Sequence, residues 1–228
     1  MKKSFHLIIF FISMALLESA VVVYLRELYY PNGFMFPLSP MKSVIILTEL
    51  ARELATIIML WTMGYIAGRN FSTRFAWVII GFGIWDIFYY VFLYIFIQWP
   101  ATLVDWDILF LIPLPWYGPV IAPCLISVLM IIFGGLILYF NQKNKVIWKM
   151  RTLLLFLFGC VMGLSSFMEE FIRTLKYNDA IDLAQNILIH SQSFIPKDYS
   201  YLLLSLATLF YLSGIFIFYR NNLSKLKI

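Results

Sequence analysis

The chain has 228 residues, of which 62% are hydrophobic, 19% aromatic and 13% charged, with a formal net charge of +5. Soluble domains carry about 25% charged residues, and the mean hydropathy here is +0.87. These figures exclude a soluble enzyme, a disordered tail and a nucleic-acid-binding module, and they define an integral membrane protein.

A transmembrane helix needs roughly 20 apolar residues. The expected fold is therefore an all-α polytopic membrane protein, a single transmembrane domain over 1–228 built as a bundle of six helices. The expected spans cover about 5–25, 44–67, 75–97, 120–140, 153–172 and 201–219. The first resembles a signal peptide, with Lys2 and Lys3 ahead of an apolar run. Glu18 occupies a position where cleavage needs a small residue, and the run continues to Leu25, so it reads as an uncleaved span. Between spans 1 and 2, residues 28–42 contain three prolines and four aromatic residues and read as an interfacial loop.

Span 2 contains Glu49, Arg52, Glu53 and Thr56 at offsets of three, four and seven, which places them on one helix face. Gly64 and Gly68 extend that face and permit close helix approach. Span 3 carries Asp86 near its middle, with Tyr89 and Tyr90 three and four residues later. Between spans 3 and 4, the stretch Ile108–Leu114 is apolar but too short to cross, and Pro113, Pro115 and Pro119 forbid one regular helix. It reads as a re-entrant or interfacial segment. Span 5 sets Gly159, Gly163, Ser166, Glu170 and Arg173 in three- and four-residue steps. After it, Asp179, Asp182 and Asn186 suggest a short amphipathic helix ended by Pro196.

Charge sets the expected orientation. With both termini in the cytoplasm, 11 of the 17 basic residues fall inside and none of the 12 acids does. The outer half then sums to −6. Spans 1, 2, 3 and 5 place Glu18, Glu49, Glu53, Asp86 and Glu170 at similar depth, with Arg52 and Arg173 as nearby bases. Buried acid in excess of base requires protons, a bound cation or a cationic solute. An all-oxygen donor set suits Ca, Mg or Mn, so Glu49, Glu53, Asp86 and Glu170 are the candidate metal ligands. The wider candidate site is Glu18, Glu49, Arg52, Glu53, Asp86, Tyr89, Tyr90, Glu170 and Arg173. Its expected partners are the lipid bilayer and a small cationic solute or lipid, not nucleic acid.

Other patterns carry little chemistry. Asp105-Trp106-Asp107 has the DxD form of some glycosyltransferases, without a nucleotide-binding domain. Glu169-Glu170-Phe-Ile-Arg173 is one residue short of the glutamate–arginine spacing of CAAX-type membrane proteases. His190 reads as a solvated loop residue. Trp99, Trp106 and Trp116 read as interface anchors. The Asn70-Phe-Ser72 sequon falls on the cytoplasmic side.

The strings ELARE (49–53), WDIFYY (85–90), WP (99–100), DILFLIP (107–113), PW (115–116) and GPV (118–120) resemble uncharacterised bacterial inner-membrane proteins over about residues 27–125. The resemblance implies a bacterial cytoplasmic membrane and no particular activity. Three functions follow from the residues: an outward-facing site for a cation, proton or cationic solute; a lipid-directed membrane enzyme using carboxylates as acid and base; or a structural subunit whose acids pair with arginines.

Overall fold

The computed structural model describes residues 2–144, 146–175 and 183–224. It contains seven helices and one two-stranded sheet. The helices are α1 (Lys2–Tyr29), α2 (Ser43–Ala67), α3 (Phe71–Ile97), α4 (Ile121–Lys143), α5 (Met150–Thr174), α6 (Leu183–Ser193) and α7 (Tyr201–Leu223). Five of them, α1, α3, α4, α5 and α7, are long and apolar enough to cross a bilayer. They fit a multi-pass integral membrane protein. The acids Asp179 and Asp182 of the expected amphipathic helix lie outside the described residues.

Contacts between glycines and large side chains fix the helix order. Gly64 of α2 and Gly68, its C-cap, lie against Val78 and Arg74 of α3, so the two helices run antiparallel across a three-residue link. Phe11 of α1 fills the space that a side chain at Gly81 of α3 would need. The Ser19 hydroxyl donates to the Tyr89 carbonyl, so α1 and α3 run parallel. Gly83 faces Ser127 and Ile131, and Gly134 faces Ile80, which sets α4 antiparallel to α3. At the far side Gly159 of α5 packs under Tyr211 of α7, and Gly214 of α7 sits near Phe156. Rings of Phe133, Phe140, Phe156 and Phe218 join this pair to α4. The bundle is thus a row, α2–α3–α4–α7–α5, with α1 laid on α3 beside α2.

The caps are chemical. The Asn70 side chain accepts the Thr73 amide, and the Thr73 hydroxyl accepts the Asn70 amide, closing a reciprocal box at the start of α3. The sequon asparagine is therefore spent as a helix cap. Gln98 ends α3 in the left-handed region, φ 52°.

The segment expected to be re-entrant or interfacial takes the form of strands. Residues 106–119 form an antiparallel hairpin, β1 (Trp106–Phe110) with β2 (Trp116–Pro119), pairing Asp107 with Gly118 and Ile108 with Tyr117. Its prolines lie at the turn and at the end of β2, where a missing N–H costs no ladder bond. A side chain at Gly118 would meet Phe167 at 3.0 Å, so glycine lets β2 lie against α5. Trp99, Trp106 and Trp116 are half-buried and pack on Tyr90, Tyr199 and Phe167, respectively.

Candidate functional site

A cavity of about 410 Å³ opens among α1, α2, α3, the 30–41 loop, the hairpin and α6. Seven of the nine site residues expected from the sequence line it: Glu18, Glu49, Arg52, Glu53, Asp86, Tyr89 and Tyr90. Each helix reaches it by its repeat. On α2 the buried stripe Glu49, Glu53, Thr56, Leu60, Gly64 and Ala67 follows three- and four-residue steps, while Leu47, Leu54, Ile58 and Trp61 face outward. The polar side is inside and the apolar side outside, as a lipid environment requires.

Arg52 is the hub on α2. It pairs with Glu18 of α1 and, at 2.7 Å, with Glu49 one turn earlier on its own helix. The Thr56 hydroxyl lies 3.3 Å from the second Glu18 oxygen. These contacts join α1 to α2. Glu53 reaches the hairpin instead: both its oxygens accept the Leu111 amide, at 2.9 and 3.0 Å. Asp86 accepts the Ser127 hydroxyl of α4 at 2.9 Å. Among the described residues neither Glu53 nor Asp86 enters an ion pair.

Arg26 and Asp107 belong to the same cavity, and the sequence reading did not place them there. Arg26 is 7% exposed and Asp107 1%, and they pair at 3.1 Å. The guanidinium lies 3.7 Å from the Trp99 ring centre and 4.5 Å from that of Phe34. The usable signal was the spacing from Glu18 to Arg26, eight residues or about two turns, which sets both on one face of α1. The DxD pattern dissolves into two separate tasks. Asp107 holds Arg26, while Asp105 closes the 101–105 turn by accepting the amides of Ala101 and Thr102 and the Thr102 hydroxyl. Slight burial raises the Asp105 pKa, but those hydrogen bonds outweigh it and hold the carboxyl below its usual range.

Glu170 and Arg173 do not join the cavity, because α5 stands at the far end of the row. Glu170 accepts the amides of Lys197 and Asp198, and Arg173 pairs with Glu169 at 3.2 Å near the surface. His190 is half-buried: its ring packs against Phe171 and Phe194, and Nε2 is 3.1 Å from the Thr174 hydroxyl. Burial lowers its pKa.

Of the expected metal ligands, Glu49, Glu53 and Asp86 line the cavity and Glu170 stands apart. Among the described residues no three His, Cys, Asp or Glu side chains gather closely enough to hold a metal ion. The reason is local. Glu49 is taken by Arg52, Glu53 by a hairpin amide, Asp86 by Ser127, and Glu170 by the loop before α7. What remains is a cavity within the volume range of small-molecule sites. Its walls are largely apolar and its charged groups few and directed.

Fold and site together describe a helical membrane protein with a charged cavity at one end of its bundle. Comparison with protein-family models, with curated proteins and with solved structures finds no match for this chain.

Proposed function

We propose that this chain is a six-span protein of a bacterial cytoplasmic membrane, with both termini inside, whose outward-facing cavity binds a small organic cation at Glu53 and Asp86. One observation carries the reading. These two carboxylates line a cavity of about 410 Å³ and enter no ion pair among the described residues, while Glu18 and Glu49 share Arg52 and Asp107 pairs with Arg26. Counted formally, five carboxylates face two guanidinium groups. An ionised group left unpaired at membrane depth costs about 3 kcal/mol, and a bound cation offsets that cost for both.

The sixth crossing is α2. Its 25 residues extend about 38 Å, enough for a hydrocarbon core of about 30 Å. Its three charged residues turn inward and its large exposed residues, Val44, Leu47, Leu54, Ile57, Ile58, Met59, Trp61, Tyr65 and Ile66, are apolar or aromatic. Arg69, Arg74, Lys143, Lys149, Arg151 and Arg220 lie at the end of the bundle opposite the hairpin, which supports a cytoplasmic assignment for that end.

The test is thermal unfolding of the protein in lipid nanodiscs with propylammonium, Na, Ca or Mg at matched ionic strength. Glu53→Gln and Asp86→Asn keep an oxygen for Leu111 and Ser127, so both variants retain the fold. The expected result is a saturable rise in Tm with propylammonium that disappears in the double variant. A rise specific to Ca or Mg would return the site to metal, and no response to any cation would leave the structural reading.

A further inference from the structure

We infer that the ligand of this cavity is an amphiphile, with an ammonium head between Glu53 and Asp86 and an apolar chain along the gap between the hairpin-side halves of α1 and α2. The inference rests on the cation-binding reading above and adds the class of molecule. The first observation is how unevenly α1 and α2 are joined. One apolar core binds them at Phe11–Ala15 of α1 and Leu60–Ala67 of α2. Beyond Glu18 the buried apolar partners of α1 change. Val22 and Val23 pack with Tyr90 and Leu93 of α3 and with Val120, in a cluster that includes no residue of α2. On the hairpin side of that core, Glu18 ties α1 to Arg52 and Thr56 of α2. Beyond that latch an apolar strip, Val22 and Leu25 on α1, Ile46 and Leu50 on α2, and Leu38 and Met41 from the loop, lines the cavity beside Arg26 and Glu49, which are already paired.

The second observation concerns the head. Trp85 is 5% exposed and lines the cavity, and its indole N–H finds no acceptor among the described residues. A buried donor left unpaired costs free energy, and an oxygen beside the ammonium of a ligand would satisfy it. Tyr89, on the next turn of α3, lines the same space as Asp86 and Glu53. A compact inorganic ion would leave most of the apolar volume empty. A head with a chain fills both parts. The residues flanking the seam on the outside, Leu17, Tyr24 and Leu28 of α1 and Leu47 and Leu54 of α2, are exposed and apolar, so a chain passing between them meets lipid and not water.

The test compares three probes in nanodiscs: ethylammonium, decylammonium and decanol. Decylammonium is expected to raise Tm at an aqueous concentration at least about 100-fold lower than ethylammonium, because its methylenes are buried. Glu53→Gln should abolish that rise, and decanol should produce none. Leu50→Trp fills the seam one turn from Glu53. It should remove the decylammonium effect and leave the ethylammonium effect intact, which also shows that the variant is folded. Equal potency of the two ammonium ions, or an unchanged decylammonium response in Leu50→Trp, overturns the amphiphile while leaving the cation site standing. A decanol rise as large as that of decylammonium overturns it as well. No response to either ammonium ion removes the cation site and the amphiphile together.

Discussion

Two helices carry nearly the same message and meet opposite fates. On α2, Glu49, Arg52, Glu53 and Thr56 lead along one face to Gly64 and Gly68. On α5, Gly159, Gly163 and Ser166 lead to Glu170 and Arg173. The α2 face turns into a cavity, where its arginine is shared by acids from two helices. The α5 face turns toward α7, and its charged end emerges beside the loop, where Glu170 caps backbone amides and Arg173 keeps a surface partner. A polar stripe on an apolar helix says that something must satisfy it. It does not say whether a ligand, another helix or the chain's own backbone does so.

The contrast can be broken most severely at Arg52. Arg52→Ala leaves Glu18 and Glu49 buried without a counter-charge and should destabilise the protein by about 3 kcal/mol, read from its unfolding in mixed micelles. Next come the glycines. An ideal Cβ at Gly81 would lie 2.4 Å from the Phe11 ring, whereas at Gly163 the nearest atom would be 3.6 Å away. Gly81→Ala is expected to cost about 2 kcal/mol. Gly163→Ala should be neutral or better, since alanine favours the helix. Equal losses at both would mean that the α1–α3 contact is no tighter than the α5–α7 one. Arg173→Ala should move stability by no more than about 0.5 kcal/mol, because its pair is 58% and 40% exposed. A loss approaching that of Arg52→Ala would erase the distinction between the two ends of the row.

The smallest effect sharpens the hairpin side. Asp105 has a depressed folded pKa, so its contribution to stability is fully present above its unfolded value of about 3.9. That contribution is lost as pH falls through the lower folded value. Wild type should therefore lose slightly more stability than Asp105→Asn between about pH 4 and pH 2. Parallel pH profiles for the two proteins would show that the 101–105 turn does not depend on the ionised carboxylate.

Much of the site was legible from spacing. Offsets of three and four put Glu49, Arg52 and Glu53 on one face and Tyr89 and Tyr90 near Asp86, and hydropathy marked the long helices. Those inferences need only the helical repeat and the cost of charge in hydrocarbon. The hairpin was not legible, because Ile108–Leu114 is apolar throughout and lacks the alternation that signals a strand. Nor was the Arg26–Asp107 pair, whose members stand 81 residues apart in the chain.

The sequence by itself determined that this chain belongs in a membrane, where its apolar helices run, and that it buries more acid than base. Tertiary structure alone decided which acids share a space. Helix order is set by how glycines and rings interlock, with Phe11 against Gly81 and Tyr211 against Gly159. That interlocking depends on shape across distant segments, which no local pattern of residue types encodes. It left Glu170 at one end of the row and gathered Glu18, Glu53, Asp86 and Asp107 around the cavity at the other.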